Sequence, residues 1–369
     1  MKSVILAHLG LVIAGVVSFV LMGAGQALYG PALPVLARNF AISTGQAGFL
    51  VSAHWVGAAL GVAAMYFRGN DVTPRMALGA MATGAALIGL GAGWVLALTG
   101  AVVLGVGYGA STVIYNRRFL TIFGAQGPSM LALLNAIFGI GAIGAPLVFV
   151  QMGSDPGLAF LSVAGLSALT AIIAGGIAPI AQTSTALARF VPRPLILIFG
   201  AMAVGTEACL IGLGPTALIA QGQAEARAAE LLSMFFVVFL LARLALVGFA
   251  GRLHPFALYT AAMTGAAVCL SCAALTADPG WFVAAGGFAG LFFPGYYVSG
   301  VRLMGDDPRV SPTLIAAGLV GGITAPVALG AVMVRAGDGV FFTVMSVATA
   351  AVAMAALLSL RGMMRAVRV

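Results

Sequence analysis

Three ionisable side chains lie deep inside long apolar stretches of the chain, away from the polar residues that flank those stretches. They are His54, Glu207 and Arg243. A carboxyl, a guanidinium and an imidazole group can exchange a proton, form an ion pair or bind a polar ligand. On insertion scales an ionisable group at a bilayer centre costs about 2.5–3.5 kcal/mol, so each should face a cavity or a partner.

Each of the three has two interpretations. A carboxyl group withdrawn from water binds a proton more readily, so Glu207 is a candidate for proton coupling or for hydrogen bonding to a polar ligand. Alternatively, it is a structural acid bonded to a neighbouring helix. Arg243 either pairs with Glu207 or binds the ligand, or its long side chain reaches the membrane surface. His54 either relays protons or bonds, uncharged, to a carbonyl on another helix.

A second group of residues combines aromatic faces or amides with hydrogen-bonding tips. Such residues suit a sugar-like or otherwise neutral amphipathic molecule. Tyrosines near helix ends also anchor helices at the membrane surface, which is the alternative for Tyr29 and for Tyr115. The group consists of Gln26, Tyr29, Tyr108, Asn135, Tyr296 and Tyr297.

The composition determines which elements must position these residues. The 369 residues are 62% hydrophobic and 7% charged, with a mean hydropathy of +1.13. Soluble proteins carry roughly 25% charged residues, so lipid must cover most of this surface. Backbone in lipid must satisfy its own hydrogen bonds, which favours helices. The sequence predicts an all-α integral membrane protein with transmembrane helices at 4–30, 45–67, 76–95, 96–116, 127–150, 156–182, 194–221, 229–250, 256–275, 280–303, 312–334 and 339–360.

The basic residues predict the orientation of these helices, because Lys and Arg concentrate in cytoplasmic loops. With the N-terminus inside, only Arg38, Arg227 and Arg335 fall in outer loops. We therefore expect a multi-pass protein of the plasma membrane, a bacterial inner membrane, with both termini cytoplasmic and the first apolar run retained as a helix. The cytoplasmic set is Lys2, Arg68, Arg75, Arg117, Arg118, Arg189, Arg193, Arg252, Arg302, Arg309, Arg361, Arg365 and Arg368.

The chain also repeats itself at about half its length, which is typical of transporters with binding sites near the membrane midplane. The repeat predicts two pseudo-symmetric six-helix bundles, 1–184 and 194–369, joined by a short cytoplasmic linker at 185–193. The matching positions are Gly30-Pro31 with Gly214-Pro215, Gly105 and Arg117 with Gly290 and Arg302, and Gly141 and Pro146 with Gly321 and Pro326.

The first part of the chain resembles the major facilitator superfamily. The resemblance implies alternating access, with the first, fourth, seventh and tenth helices lining a central cavity. Asp71 and Arg75 fit the family's loop motif, which implies a gating role, although Pro74 stands where glycine is usual. The remaining motif residues are Gly30-Pro-Ala-Leu-Pro34, Phe40-Ala-Ile-Ser43, Gln46-Ala-Gly48, Gly57-Ala-Ala-Leu-Gly61 and Gly105-Val-Gly107-Tyr-Gly109.

Three shorter stretches are similar to the fucose/glucose permease branch of that superfamily. Members of this branch often have a further carboxylate in the N-terminal half, and the first six predicted helices contain none. The stretches are Leu134-Asn135 with 139–146, Val204-Gly-Thr-Glu207 with Gly212, and Leu241-Ala-Arg243.

These features predict a secondary transporter for a small polar solute, sugar-like by preference, coupled to a proton or another ion gradient. The chain has no nucleotide-binding G-x-x-x-x-G-K-[ST] motif, and the G-x-G-x-x-G at 139–144 lacks the strand that a dinucleotide site requires. We expect no cofactor, no metal, no enzymatic activity and no nucleic-acid partner. The expected partners are the solute and the lipid bilayer, with a monomeric protein. The alternatives are an efflux antiporter for amphipathic or drug-like compounds and a non-transporting receptor.

Overall fold

The computed structural model describes residues 6–68, 71–123, 127–174, 191–249, 253–305 and 309–366. Within these ranges the regular structure is helical, with twelve long helices, a short helix at Thr44–Ala47 and a 3₁₀ turn at Asp338–Val340. The long helices are α1 (Leu9–Asn39), α2 (Phe49–Arg68), α3 (Pro74–Gly89), α4 (Trp94–Ile122), α5 (Gly127–Gln151), α6 (Pro156–Ile173), α7 (Pro194–Ala220), α8 (Glu225–Phe249), α9 (Pro255–Thr276), α10 (Gly280–Met304), α11 (Val310–Ala336) and α12 (Phe341–Ala366).

The lengths and apolar composition of these helices confirm the predicted all-α membrane fold class. In the described part of the chain, 11 helices are long and apolar enough to cross a bilayer. The remaining long helix, α3, has 16 residues, fewer than the roughly 20 that a span usually needs.

The first predicted helix ends too early, because α1 continues past Pro31 and Pro34 to Asn39. Both prolines are buried within this 31-residue helix. Neighbouring helices in membranes can satisfy the carbonyl groups that a proline leaves unpaired, so proline is a weak stop signal there. The prediction at Gly30-Pro31 applied the rule for soluble helices.

The third predicted helix, 76–95, was extended too far, because α3 ends at Gly89. The connection to α4 contains Gly91 with φ of 61° and Gly93 with φ of 145°. Such backbone conformations favour glycine, so these two residues turn the chain. Trp94 consequently begins α4, which runs on to Ile122 rather than to 116.

The chain forms two compact units. The first consists of Met1–Ile42 and Phe49–Ser184, and the second of Ser43–Gly48 and Thr185–Val369. The short helix Thr44–Ala47 therefore packs with the second unit, whereas the predicted division assigned it to the first. Close packing explains this placement, since a Cβ at Gly45 would lie 2.6 Å from the carbonyl oxygen of Gly330 in α11.

The helices of both units pair in the same pattern. In the first unit α1 packs on α5 and α6, α2 on α4, and α3 on α4 and α6. In the second unit α7 packs on α11 and α12, α8 on α10, and α9 on α10 and α12. Each pairing in one unit recurs six helices later in the other, which confirms the predicted pseudo-symmetric bundles.

Glycines allow the backbones to meet at equivalent crossings of the two units. A Cβ at Gly105 in α4 would overlap the carbonyl of His54 in α2, and Gly290 in α10 meets the carbonyl of Phe239 in α8 in the same way. These two glycines are one of the pairs in the sequence repeat. Close approach through small residues is a common form of helix packing in membranes.

Several predictions lie outside the described residues. They are positions 185–190 of the linker, residues 175–182 of the sixth predicted helix, and the orientation residues Lys2, Arg189, Arg252 and Arg368.

Candidate functional site

His54 is the centre of an aromatic cluster in the first unit. We define the N-terminal aromatic cluster as Tyr29 of α1, His54 and Trp55 of α2, and Tyr108 of α4. The His54 ring centroid lies 5.3 Å from that of Tyr29, 5.8 Å from that of Trp55 and 5.1 Å from that of Tyr108. All three contacts are edge-to-face, a favourable geometry for aromatic rings.

The two ring nitrogens of His54 have different surroundings. Nδ1 lies 3.4 Å from the hydroxyl oxygen of Tyr29. Nε2 is buried and has no hydrogen-bond partner among the described residues. The side chain is 1% exposed. The contact with Tyr29 replaces the carbonyl bond that one interpretation expected, and the proton-relay interpretation stays a prediction.

Gln26 connects α1 to the same cluster. The Tyr108 hydroxyl donates a hydrogen bond of 3.2 Å to Oε1 of Gln26. Gln26 is buried, whereas Tyr108 and Trp55 are half-buried. Tyr108 and Trp55 also contact each other, with ring centroids 6.1 Å apart. The structure therefore brings together Gln26, His54, Tyr29 and Tyr108, four of the predicted site residues.

The interpretation of Tyr29 and Tyr115 as surface anchors is wrong. Tyr29 is 1% exposed and Tyr115 is 0% exposed. Tyr29 packs against His54 and against Phe160 of α6, at 5.6 Å between ring centroids. Tyr115 packs against Gly15 of α1. Tyrosines that anchor a helix at the membrane surface keep their hydroxyls near water, and these two hydroxyls are enclosed by protein.

Glu207 occupies the middle of α7 in the second unit. Its side chain is half-buried, and it interacts electrostatically with Arg243 of α8 and with Tyr296 of α10. The acid in the middle of α7 is thus within electrostatic range of a cation on α8. We define Glu207, Phe239, Arg243 and Tyr296 as the C-terminal charged cluster.

Arg243 points toward the middle of its helix. Its Nε donates a hydrogen bond of 3.0 Å to the carbonyl oxygen of Gly290 in α10. Its guanidinium carbon lies 4.3 Å from the centroid of the Phe239 ring, one helical turn farther from the C-terminal end of α8. These contacts direct the guanidinium group toward α10 and Phe239. Pairing of Arg243 with Glu207 and its reach to the membrane surface both stay predictions.

The two tyrosines of α10 differ in accessibility. Tyr296 is 0% exposed, and its hydroxyl donates a 3.0 Å hydrogen bond to the carbonyl oxygen of Leu314 in α11. Its ring fills a space above Gly200 of α7. Tyr297 is half-buried, and its hydroxyl is hydrogen-bonded to the hydroxyl of Ser311. Tyr296 therefore joins α10 to α7 and α11 within the second unit, and Tyr297 is the more accessible of the two.

The remaining predicted site residues lie apart from both clusters. Asn135 is exposed on α5. Asp71 forms a 2.9 Å ion pair with Arg68 at an exposed position. Nε of Arg75 donates a 3.3 Å hydrogen bond to the carbonyl oxygen of Ala171, which ties α3 to the end of α6. Gating by Asp71 and Arg75 stays a prediction.

The sequence analysis missed the partners of Arg243. Phe239 lies four residues before Arg243, and residues at this spacing are neighbours on a helix, so the cation–π contact could have been predicted. The carbonyl of Gly290 could not, because this contact depends on how α8 and α10 cross. In the described part of the chain no group of three or more His, Cys, Asp or Glu residues could hold a metal ion.

No protein-family model matches the chain, and no curated protein matches it in sequence. Solved structures do match. The nucleoside transporter NupG has a TM-score of 0.75 at 15% identity, over 95% of this chain and 98% of NupG. A D-xylose–proton symporter has a TM-score of 0.73 at 13% identity, over 95% of this chain and 96% of the symporter. A variant of the E. coli fucose:proton symporter FucP has a TM-score of 0.63 at 19% identity, over 94% of this chain and 98% of FucP.

These similarities show the fold. The chain has the fold of the major facilitator transporters along nearly its whole length. The resemblance predicted from the sequence motifs is confirmed at this level.

Proposed function

We propose that the protein is a secondary transporter that moves a small polar solute, sugar-like by preference, in symport with protons by alternating access. The observation that carries this proposal is the carboxyl group of Glu207 at the centre of α7, within electrostatic range of the Arg243 cation on α8. An ionisable pair inside the membrane is costly to maintain and usually marks a substrate or ion pathway. The similar solved structures, which include a nucleoside transporter, a D-xylose–proton symporter and FucP, support the same class.

The two clusters have different parts in this proposal. The N-terminal aromatic cluster offers ring faces and the Gln26 amide, groups that recognise the faces and hydroxyls of a sugar-like solute. The C-terminal charged cluster contains the carboxyl group that takes up the proton. The driving force is the proton gradient, and no cofactor takes part. We further propose that the protein acts as a monomer in a bacterial inner membrane, with both termini cytoplasmic.

Uptake into proteoliposomes tests the proposal. The purified protein is reconstituted, and a panel of labelled sugars and nucleosides is supplied with an inward proton gradient and again after a protonophore collapses it. At least one solute should accumulate only with the gradient. Glu207→Gln should reduce this accumulation by about 100-fold, because the variant has no group at this position that exchanges a proton, while exchange of solute across the membrane continues.

The matched control is Glu230→Gln on α8. Glu230 is an exposed acid that pairs with Arg227, and its replacement should leave accumulation unchanged. Full proton-driven accumulation by Glu207→Gln would contradict the coupling role. Export of amphipathic compounds, or binding of a solute without flux, would instead support the antiporter or the receptor alternative.

A further inference from the structure

His54 has one ring nitrogen that the described part of the protein leaves unused. Nδ1 lies 3.4 Å from the hydroxyl oxygen of Tyr29, whereas Nε2 is buried and lacks a hydrogen-bond partner among the described residues. The side chain is 1% exposed, so bulk water does not satisfy Nε2 either. Buried polar atoms in folded proteins almost always have a partner, and an unpaired one costs free energy. A ligand atom that bonds to this nitrogen therefore removes an existing cost.

The surroundings of His54 fit the neutral form of the imidazole. The acidic residues of the first unit are Asp71, which pairs with Arg68, and Asp155, which caps the N-terminus of α6. Both are exposed. An imidazolium ion in the middle of α2 would thus have no acid of its unit beside it, which is costly inside a membrane. In a neutral imidazole one nitrogen donates a hydrogen bond and the other accepts one.

The chemistry of Nε2 selects a hydroxyl group as its partner. If the Tyr29 hydroxyl donates to Nδ1, Nε2 carries the hydrogen and donates. If Nδ1 donates to Tyr29, Nε2 accepts. A hydroxyl group pairs with Nε2 in both cases, because it is a donor and an acceptor. A carbonyl oxygen pairs only with a donor, and an ammonium group pairs only with an acceptor.

The rings around His54 show the side from which a ligand reaches Nε2. Tyr29 is 1% exposed, whereas Trp55 and Tyr108 are half-buried. The Tyr108 hydroxyl donates to Oε1 of Gln26 and is held by it. The Trp55 indole has ring contacts with His54 and Tyr108, and nothing comparable fixes it. A ligand therefore reaches Nε2 when the indole shifts, and it then lies between aromatic faces and a placed polar atom, as is usual in small-molecule sites.

We propose that Nε2 of His54 forms a hydrogen bond with one hydroxyl group of the transported solute, whose ring packs against Trp55. His54 is then the residue of the first unit that selects a hydroxylated solute. The inference rests on the proposed function and specifies the group by which the solute is recognised. The contact is separate from proton coupling, which the proposed function assigns to Glu207.

Deoxy analogues identify the hydroxyl group that His54 binds. D-glucose, D-xylose and uridine, together with analogues of each that lack a single hydroxyl group, are titrated calorimetrically into the purified full-length protein. We expect at least one parent compound to bind. One of its deoxy analogues should bind about tenfold more weakly, which is a loss of the size expected for one hydrogen bond.

Substitutions of His54 separate the roles of its two nitrogens. The side-chain amide of Gln reaches the position of Nε2, and the shorter side chain of Asn reaches that of Nδ1. His54→Gln should therefore keep the affinity for the parent compound within about threefold, whereas His54→Asn and His54→Phe should lose about tenfold. His8→Phe is the matched control, since His8 is an exposed histidine that precedes α1, and its affinity should equal that of the wild type.

The decisive readout combines the analogue with the variant. The deoxy analogue that binds the wild type weakly should bind His54→Phe as tightly as the parent compound does, because the phenyl ring offers nothing to the missing hydroxyl group. If His54→Phe weakened parent and analogue by the same factor, His54 would have a structural role only, and the inference would be overturned. Unchanged affinity of every compound for His54→Phe would overturn it as well.

These outcomes are distinguishable from those of the transport assay. Failure of all three parent compounds to bind overturns the inference. The proposed function nevertheless stands if another solute accumulates in proteoliposomes with the proton gradient. Absence of flux for every solute would remove the proposed function and this inference together.

Discussion

The two units share a scaffold and differ in what they place on it. Gly105 contacts the backbone of His54 in the first unit, and Gly290 contacts that of Phe239 in the second. One turn after these residues, α2 carries Ala58 and α8 carries Arg243. The helix crossing is thus preserved, but an imidazole within an aromatic cluster is replaced by a phenyl ring that supports a cation.

The same difference occurs where α1 meets α5 and α7 meets α11. Gly141 packs on the backbone of Val20, and Gly321 packs on that of Ala201. Six residues after these contact points are Gln26 in α1 and Glu207 in α7. An amide in one unit therefore corresponds to an acid in the other. The two units thus share the positions where backbones touch, whereas Gln26 and Ala58 stand in the first unit where the second has Glu207 and Arg243.

The variants with the largest expected effect test whether the α2–α4 crossing and the α8–α10 crossing are equivalent. Gly105→Ala and Gly290→Ala should each lower the free energy of unfolding by about 2–3 kcal/mol, because the new methyl group overlaps a backbone carbonyl and forces the helices apart. Thermal and denaturant unfolding in detergent measure this effect.

The control for the crossing is Gly144→Ala in α5. A Cβ there meets nothing within 4 Å among the described residues, so the change should be neutral or stabilising by up to about 1 kcal/mol. A large decrease in the free energy of unfolding for Gly105→Ala, together with no decrease for Gly290→Ala, would show that the two crossings differ.

A second experiment tests whether the first unit determines affinity and the second determines coupling. Gln26→Leu removes the acceptor of the Tyr108 hydroxyl, and a lost hydrogen bond of this kind costs about 1 kcal/mol. The KM for the solute should rise about fivefold, and uptake should still depend on the proton gradient. Loss of gradient dependence in Gln26→Leu would contradict this division.

The sequence predicts some parts of the structure better than others. The apolar stretches and the half-length repeat predicted the helices and the two bundles correctly, because both depend on composition along the chain. The ends of α1 and α3 were missed, since Pro31 and Gly91 act through local contacts and backbone angles that a hydropathy pattern does not contain. Glu207 and Arg243 were identified from the sequence as charges within apolar helices. The hydrogen bond from Arg243 to the Gly290 carbonyl could not be predicted, because it depends on how α8 and α10 cross.

A third experiment makes the first unit resemble the second at one position. His54→Phe places in α2 the residue that α8 has at the equivalent site. The free energy of unfolding should change by less than about 1 kcal/mol, because the ring contacts remain and the variant no longer buries the Nε2 atom, which lacks a hydrogen-bond partner among the described residues. His54→Ala, which leaves a cavity, should cost about 2–3 kcal/mol. If His54→Phe lowered the free energy of unfolding as much as His54→Ala does, the result would contradict a packing role for His54.

The smallest effect concerns His254, which precedes α9 in the second unit. Burial and the nearby Arg302 lower the pKa of His254, against a weaker opposing effect of the Met364 backbone. The folded state therefore binds this proton less readily than the unfolded state, so acid below about pH 6.5 favours unfolding. His254→Gln should reduce the fall in Tm between about pH 7.5 and pH 5.5 by on the order of 1 °C. An unchanged fall would show that His254 does not contribute.

The short helix α3 has a consequence for the surrounding lipid. Its 16 residues span about 24 Å at 1.5 Å per residue, less than the roughly 30 Å of a hydrocarbon core. The 31 residues of α1 span about 46 Å. Lipid beside α3 must thin or tilt its chains to match this hydrophobic mismatch, at a cost of a fraction of a kcal/mol for each ångström. Bilayers of shorter-chain lipids should accommodate the protein with less deformation on that side.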